Sequence, residues 1–159
     1  MKDDREIYIS RAVELATKSA GQGTGPFGAL IVFGGQVVAE AHNSVTSLND
    51  PTAHAEILTI RRAAQKLKSF DLSECELYTS SYPCPMCLGA IMWAKIGKVY
   101  YANDLQMAEK AGFADVSIKQ AICAEHDHIA KKLDIMKLSI SKSEEPFQEW
   151  ERNDEKIPY

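Results

Sequence analysis

The sequence predicts an α/β fold in which helices cover both faces of a mixed, mostly parallel sheet of five strands. Segments with helical periodicity alternate with short apolar runs along the chain. From the second predicted strand onward the order is strand, helix, strand, helix, strand, which is typical of right-handed crossovers. The 159 residues are enough for one domain with a single core.

The N-terminal part predicts one helix and one hairpin. A helix is expected over about residues 5–19, with Asp3 or Asp4 as its cap. The strands "ALIVF" (29–33) and "QVVAEAH" (36–42) are joined by two glycines suited to a tight turn. The apolar stripe of the helix is predicted from residues at helical spacing: Ile9, Ala12, Val13, Ala16 and Ala20.

The central part predicts two helices that each follow a strand. Residues 44–51 are interpreted as a loop, and a helix is expected over 50–67, with Asp50 as its cap and Pro51 in its first turn. Its buried stripe is predicted to be Ile57, Ile60, Ala64 and Leu67. A third strand (75–80), a helix (84–96) and a fourth strand (98–103) follow.

The C-terminal part carries weaker patterns. "LQMAEKAGF" indicates a short helix that ends at Gly112. "LDIMKLSIS" (133–141) alternates like a half-exposed fifth strand, and "PFQEWERNDEKIPY" (146–159) indicates an amphipathic helix with a short tail.

Composition and charge narrow the classes of partner. Hydrophobic residues make up 45% and charged residues 25%, as in ordinary globular proteins. The net charge of −4 argues against a nucleic-acid partner. No apolar stretch reaches the length of a membrane span, so no membrane partner is expected. A charged N-terminus and four irregularly spaced cysteines predict a cytoplasmic protein with reduced thiols.

The segment "YPCPMCLGA" (82–90) contains two cysteines three positions apart, which alone is ambiguous. A redox pair requires a thiol of low pKa at a helix N-terminus. A structural zinc site requires four protein ligands, and neither Cys75 nor Cys123 has a partner at ligand spacing. The third possibility is part of an enzyme's metal site.

The upstream segment "PTAHAE" favours that third possibility. His54 opens one predicted helix, while Cys84 and Cys87 open the next, and both helices follow strands of one sheet. Their N-termini should meet at one sheet edge, where ligands bind in open α/β sheets. Three protein ligands leave a fourth zinc position for water, which is typical of a catalytic zinc.

Glu56 is placed to move protons rather than to bind the metal. Zinc lowers the pKa of its water from about 15.7 to roughly 7. A carboxylate beside that water can take the proton, deliver it to a ring nitrogen and then to a leaving amine. An acid at this position argues against a non-catalytic, zinc-stabilised binding module.

The pattern His-x-Glu followed by Pro-Cys-x-x-Cys is typical of zinc-dependent nucleobase deaminases. The sequence resembles the cytidine deaminase superfamily, and within it the bacterial guanine deaminases. The resemblance rests on "GPFGALIV", "HNSVTSLNDPTAHAE", "LYTS", "PCPMCLGAI" followed by Trp93, "AGF", "PFQEW" and a terminal tyrosine. It implies a three-layer α/β/α cytidine deaminase-like fold that converts guanine to xanthine and ammonia by attack at carbon 2.

The resemblance also implies residue roles. His54, Cys84 and Cys87 match the ligands of Zn²⁺, and Glu56 matches the proton shuttle. Contacts with the small-molecule base are implied for Phe27, Asn43, Ala55, Trp93, Asp115 and Tyr159. The resemblance implies in addition that residues 1–159 form a single deaminase domain, whose segment 113–159 is expected to be exchanged between the subunits of a homodimer.

Two departures from the family pattern stand out. Tyr82 occupies the position where the family usually has Glu, and Ala114 precedes Asp115 where two acids are usual. Deamination of guanosine, cytosine or a triazine remains an alternative. A tRNA adenosine deaminase shares the metal motif, but it needs a polyanion-binding surface that this acidic chain does not indicate.

Overall fold

The computed structural model describes residues 4–123, 145–153 and 157. Within these ranges four strands form one sheet in the order β2-β1-β3-β4. The strands are β1 (Gly28–Phe33), β2 (Gln36–His42), β3 (Cys75–Ser81) and β4 (Lys98–Asn103). The helices are α1 (Asp4–Gly21), α2 (Val45–Leu48), α3 (Ala55–Leu67), α4 (Pro85–Trp93), α5 (Leu105–Lys110), α6 (Asp115–Cys123) and α7 (Glu145–Arg152).

The sheet is mixed, as predicted, but its described strands are not mostly parallel. Among them β1 pairs antiparallel with both β2 and β3, while β3 and β4 are parallel neighbours. The cause is that the crossover through α3 passes over β1, so that β2 and β3 run parallel on either side of it. The described residues contain four strands rather than five, and the predicted strand 133–141 lies outside them.

Alternate side chains of β1 pack on opposite faces of the sheet. Ala29 and Ile31 belong to the larger core, together with α3 and α4 residues such as Ala63 and Ile91. Leu30 and Val32 face the other way, toward Tyr8, Ile9 and Tyr78. The central strand is therefore covered by helices on both faces, which accounts for its nearly continuous apolar sequence.

β2 is an outer strand of this sheet, and its pairing with β1 is irregular at one point. The register shifts between Ile31 and Val32, which is a bulge-like interruption. Arg11 of α1 binds Glu40 of β2 through two nitrogens, at 3.0 and 2.7 Å. Arg62 of α3 donates to the Glu40 carbonyl at 2.7 Å. These contacts tie the outer strand to the helices on either face.

Most predicted helices are found, with local corrections. The helix predicted over 5–19 is α1, but its buried residues are Ala12, Leu15, Ala16 and Ser19, whereas Val13 and Ala20 are exposed. The helix predicted over 84–96 is α4, which ends at Trp93, and the left-handed φ of 60° at Lys95 prevents its continuation.

The helix predicted with Asp50 as its cap and Pro51 in its first turn is α3, which begins only at Ala55. The Asp50 carboxylate accepts hydrogen bonds from both the backbone and the hydroxyl of Thr52, at 2.8 and 2.7 Å. This is a local Asx turn, so the residue expected to cap a helix closes a turn instead. The predicted loop 44–51 also contains the short helix α2.

The chain divides into two compact units at Lys119 and Gln120. In the second unit, α7 coincides with the helix predicted from "PFQEWERNDEKIPY". The single-domain assignment of residues 1–159 stays a prediction. Among the described residues, every helix is too short or too polar to cross a bilayer.

Gly28 sets the distance between α1 and β1. A β-carbon at this position would lie 2.6 Å from the Ala16 nitrogen and 2.7 Å from the Leu15 β-carbon, and it would also clash with the Ala12 carbonyl. Two of these three contacts are backbone atoms, which cannot rotate away. The helix therefore rests directly on the strand.

We expect Gly28→Ala to lower the free energy of unfolding by about 1–3 kcal/mol, the usual cost of overpacking. Urea unfolding followed by circular dichroism measures the change. Gly97→Ala is the matched control, because a β-carbon there has no atom within 4 Å. Equal stability of the two variants would contradict the close packing of α1 on β1.

Candidate active site

The predicted metal ligands come together beyond the carboxyl ends of β2 and β3. His54 is the N-cap of α3 and Cys84 is the N-cap of α4, while Cys87 lies in the first turn of α4. Because β2 and β3 run parallel, the helices that follow them begin at the same edge. Neither cap side chain makes a capping hydrogen bond, so both remain free for a ligand.

The geometry of these three side chains fits a tetrahedral zinc ion. The His54 Nδ1 atom lies 3.6 Å from the Sγ atoms of both Cys84 and Cys87. Usual Zn–N and Zn–S lengths at a tetrahedral angle require a nitrogen–sulfur separation of about 3.6 Å. The ligand atoms of these three side chains all lie within 4.8 Å of one another. Within the described residues, no other group of three His, Cys, Asp or Glu side chains is close enough to hold a metal ion.

Hydrogen bonding within this group already favours one thiolate. The hydrogen bond from Cys87, supported by His54, lowers the pKa of Cys84 to about 4. The pKa of Cys87 is raised, because it shares its proton with Cys84 and is buried. The hydrogen bond between His54 and Cys84 raises the pKa of His54. Binding of a metal through both sulfurs must therefore release protons.

Glu56 lies beside the ligand group and is buried, with 5% of its surface exposed. Its Oε1 atom accepts a hydrogen bond from Thr79 of β3 at 3.0 Å, and its Oε2 atom accepts one from Cys87 at 3.5 Å. Burial raises the pKa of Glu56. A carboxyl group with a raised pKa, held next to a metal position, is suited to proton transfer near neutral pH.

A cavity of about 190 Å³ opens onto this group. Its walls come from the ends of strands, from α3 and α4, and from the segment around the start of α6. They are formed by Phe27, Asn43, His54, Glu56, Tyr82, Cys84, Phe113, Ala114, Asp115 and Ile118. A larger cleft of about 540 Å³ lies elsewhere, between Arg5 and Lys98, but no described metal-ligand group borders it.

Three of the predicted base contacts line this cavity. The Asn43 Oδ1 atom accepts a hydrogen bond from the Val45 backbone at 2.9 Å, which leaves its NH₂ group for another partner. Phe27 lies edge-on to Phe113, with ring centroids 4.9 Å apart. Asp115 is half-buried, and burial raises its pKa.

The other three predicted base contacts do not line the cavity in the described part of the chain. Ala55 is fully buried, and its carbonyl accepts a hydrogen bond from Thr59 at 2.7 Å. Trp93 is 68% exposed at the end of α4. Tyr159 lies outside the described residues.

The structure adds site residues that sequence reasoning did not assign. Phe113 and Ile118 line the cavity, and Thr79 holds Glu56. Phe113 is part of the "AGF" segment and Thr79 of the "LYTS" segment, so both lie in motifs that carried the family resemblance. Ile118 had no signal, because the helix α6 was not predicted.

Comparison with known proteins agrees with this geometry. Residues 2–103 match the family described as the cytidine and deoxycytidylate deaminase zinc-binding region. A guanine deaminase of Bacillus subtilis (strain 168) is 43% identical over 92% of this chain and 94% of its own length. The crystal structure of guanine deaminase from Bacillus subtilis superposes with a TM-score of 0.91, covering 97% of this chain and 98% of the other, at 42% identity.

More distant relatives match a shorter part of the chain. A tRNA-specific adenosine deaminase of Aquifex aeolicus (strain VF5) is 41% identical over 62% of this chain and 65% of its own. A structure of guanine deaminase from Nitrosomonas europaea has a TM-score of 0.63 at 33% identity, covering 67% of this chain and 62% of that one. The chain belongs to the cytidine and deoxycytidylate deaminase zinc-binding family.

We expect Cys84→Ala and Cys87→Ala to lose bound zinc, because each removes one of the three predicted ligands. Cys75→Ala and Cys123→Ala are matched controls that should keep it, since neither thiol belongs to the ligand group. Elemental analysis of the four purified variants gives the zinc content per chain. Zinc loss in the Cys75 variant would point to a different ligand set.

Proposed function

We propose that this protein hydrolyses guanine to xanthine and ammonia. The observation that carries the proposal is the buried Glu56 carboxylate beside a His-Cys-Cys group, at the floor of a cavity with aromatic and hydrogen-bonding walls. The likeness to the Bacillus subtilis guanine deaminase over nearly the whole chain supports guanine as the base. The tRNA deaminases match a smaller share.

The metal position and Glu56 divide the chemistry between them. Zinc held by His54, Cys84 and Cys87 would supply a water molecule whose pKa is lowered to roughly 7. Glu56 would take one proton from that water and pass it to a ring nitrogen of the base, and it would then carry the second proton of the same water to the departing amine. In the net reaction carbon 2 gains the oxygen of water and loses its exocyclic amino group, which leaves as ammonia.

Thr79 fixes the orientation of the Glu56 carboxylate. Its hydroxyl occupies Oε1, so Oε2 is the oxygen that faces Cys87 and the metal position. Thr79 is itself only 1% exposed and is held in β3 by pairing with Ala29 and Tyr101. The carboxylate is therefore oriented before substrate binds, which reduces the reorganisation needed during proton transfer.

The cavity walls match the hydrogen-bonding pattern of guanine. The NH₂ group of Asn43 can donate to the carbonyl oxygen of the base, and the Asp115 carboxylate can accept from its N–H groups. Phe27 and Phe113 offer apolar contact to the flat ring. Further contacts from Ala55, Trp93 and Tyr159 are part of the proposal.

We further propose a homodimer in which the C-terminal end of the segment 113–159 is exchanged between subunits and Tyr159 closes over the base, while residues 113–119 keep the contacts with their own chain. The exposed surface of α4 supports an interface. Met92 is 77% exposed and Trp93 is 68% exposed, although the helix is apolar throughout. Large exposed apolar patches typically mark protein contacts. A cytoplasmic location accords with the free thiols of Cys75 and Cys123.

Ammonia release from a panel of substrates tests the reaction. The zinc-loaded protein should act on guanine in preference to guanosine, cytosine, an amino-substituted triazine and a tRNA anticodon stem-loop containing adenosine. Glu56→Gln keeps the shape of the side chain but cannot carry the proton, so turnover should fall by about 10²–10⁴-fold with zinc retained. A higher rate on another substrate, or an active Glu56→Gln variant, would contradict the proposal.

Deletion of residues 157–159 tests the exchanged segment. We expect lower turnover of guanine with unchanged zinc content and melting temperature, because a lid excludes water without contributing to the core. Co-refolding the deleted chain with the Glu56→Gln chain should raise activity above that of either preparation. Only such mixed dimers combine an intact Glu56 with a donated tail. An inactive deletion that no mixture rescues would show that the tail acts within its own subunit.

A further inference from the structure

Tyr82 is fixed at the end of β3. Its backbone N–H donates to the Asn103 carbonyl at 2.7 Å, which continues the β3–β4 pairing by one residue. Its half-buried ring lines the cavity and meets the ring of Tyr101 edge-on, with centroids 5.1 Å apart. The backbone and one side of the ring are thus held by β4, two residues before Cys84.

Tyr82 also contacts the helix α6. The ammonium of Lys119 lies 5.7 Å from the centroid of the Tyr82 ring, within the range of a cation–π interaction. Lys119 follows the cavity-lining Asp115 by four residues, so both side chains lie on the same face of α6, and Ile118 is the residue directly before Lys119. A contact at Lys119 therefore bears on the helix face that presents Asp115.

The other end of this segment has its own aromatic contact. Phe113 lies directly before α6 and packs edge-on against Phe27. Asp115 consequently lies between two anchoring points, Phe113 on Phe27 and Lys119 on Tyr82.

We propose that Tyr82 is a positioning residue for substrate binding: its ring holds Lys119, and through it α6, so that Asp115 and Ile118 face the bound base. The inference rests on the proposed function, because it assigns the base as the ligand of that cavity. Glu56 and the predicted metal ligands lie in α3 and α4 or at the N-caps of these helices, not on α6. Loss of the Tyr82–Lys119 contact should therefore weaken binding of the base more than it slows the chemical step.

Kinetics of guanine deamination give the first test. Tyr82→Leu and Lys119→Met should each raise KM by about two- to fivefold, the effect of an exposed cation–π contact, with little change in kcat. The double variant should be no worse than either single one, because both remove the same contact. Tyr82→Phe and Lys119→Arg, which keep the ring and the cation, should rescue KM. Additive effects, or unchanged KM in both single variants, would overturn the inference.

Phe70→Leu is the matched control. Lys95 lies 5.8 Å from the Phe70 ring, so the variant removes a contact of the same kind, and Phe70 does not line the cavity. We expect its KM to equal that of the parent protein. A rise equal to that of Tyr82→Leu would show that the effect is a general loss of stability, which would overturn the inference.

Hydrogen exchange separates this inference from the choice of substrate. In the full-length protein without substrate, amides of residues 113–119 should exchange faster in Tyr82→Leu and Lys119→Met, while those of α3 stay protected. Tyr82→Phe should restore protection. If guanine is not a substrate but this exchange pattern is found, the positioning role holds and only the proposed base is wrong. Unchanged exchange over 113–119 would overturn the positioning role whatever the base.

Discussion

The parallel direction of β2 and β3 is the constraint on which the site depends. The two strands flank β1, so the helices that follow them start at the same sheet edge. That arrangement brings His54 and Cys84, both N-cap residues, close enough to share one ion, although 30 residues separate them. The positive ends of both helix dipoles point toward the thiolates, which stabilises their negative charge. A fold with the same elements but an antiparallel β2–β3 relation would place the ligands at opposite ends of the sheet.

Burial of the Glu56 carboxylate costs free energy, because burial disfavours the charged form. The hydrogen bond from Thr79 offsets part of that cost. Among the described residues, every buried polar side-chain atom has a hydrogen-bond partner. The environment of Glu56 therefore raises its pKa without leaving a buried polar atom unpaired. A carboxyl group with a raised pKa can both accept and donate a proton near neutral pH.

Much of the site could be predicted because its signals are local. His54, Glu56, Cys84 and Cys87 occupy helix starts that the sequence itself indicates, and the strands around them have clear apolar patterns. The errors arise where one local sequence pattern is compatible with two structures, or where a residue contacts another that is far away in the sequence. Asp50 has the sequence of a helix cap but closes an Asx turn. The antiparallel β1–β3 pairing joins residues about 50 apart, as Ala29 and Thr79 show, and no local pattern encodes it. The contact between Tyr82 and Lys119 is equally remote in sequence.

The outer strand β2 has a consequence for the behaviour of this protein in concentrated solution. A free sheet edge is a template on which other chains can add strands and begin to aggregate. Here the register shift at Ile31 and Val32 interrupts the regular edge, and charged groups from α1 and α3 converge on Glu40. Arg62 occupies the Glu40 backbone carbonyl that an incoming strand would need. The same contacts that fasten β2 to its helices thereby oppose amyloid-like growth from this side of the sheet.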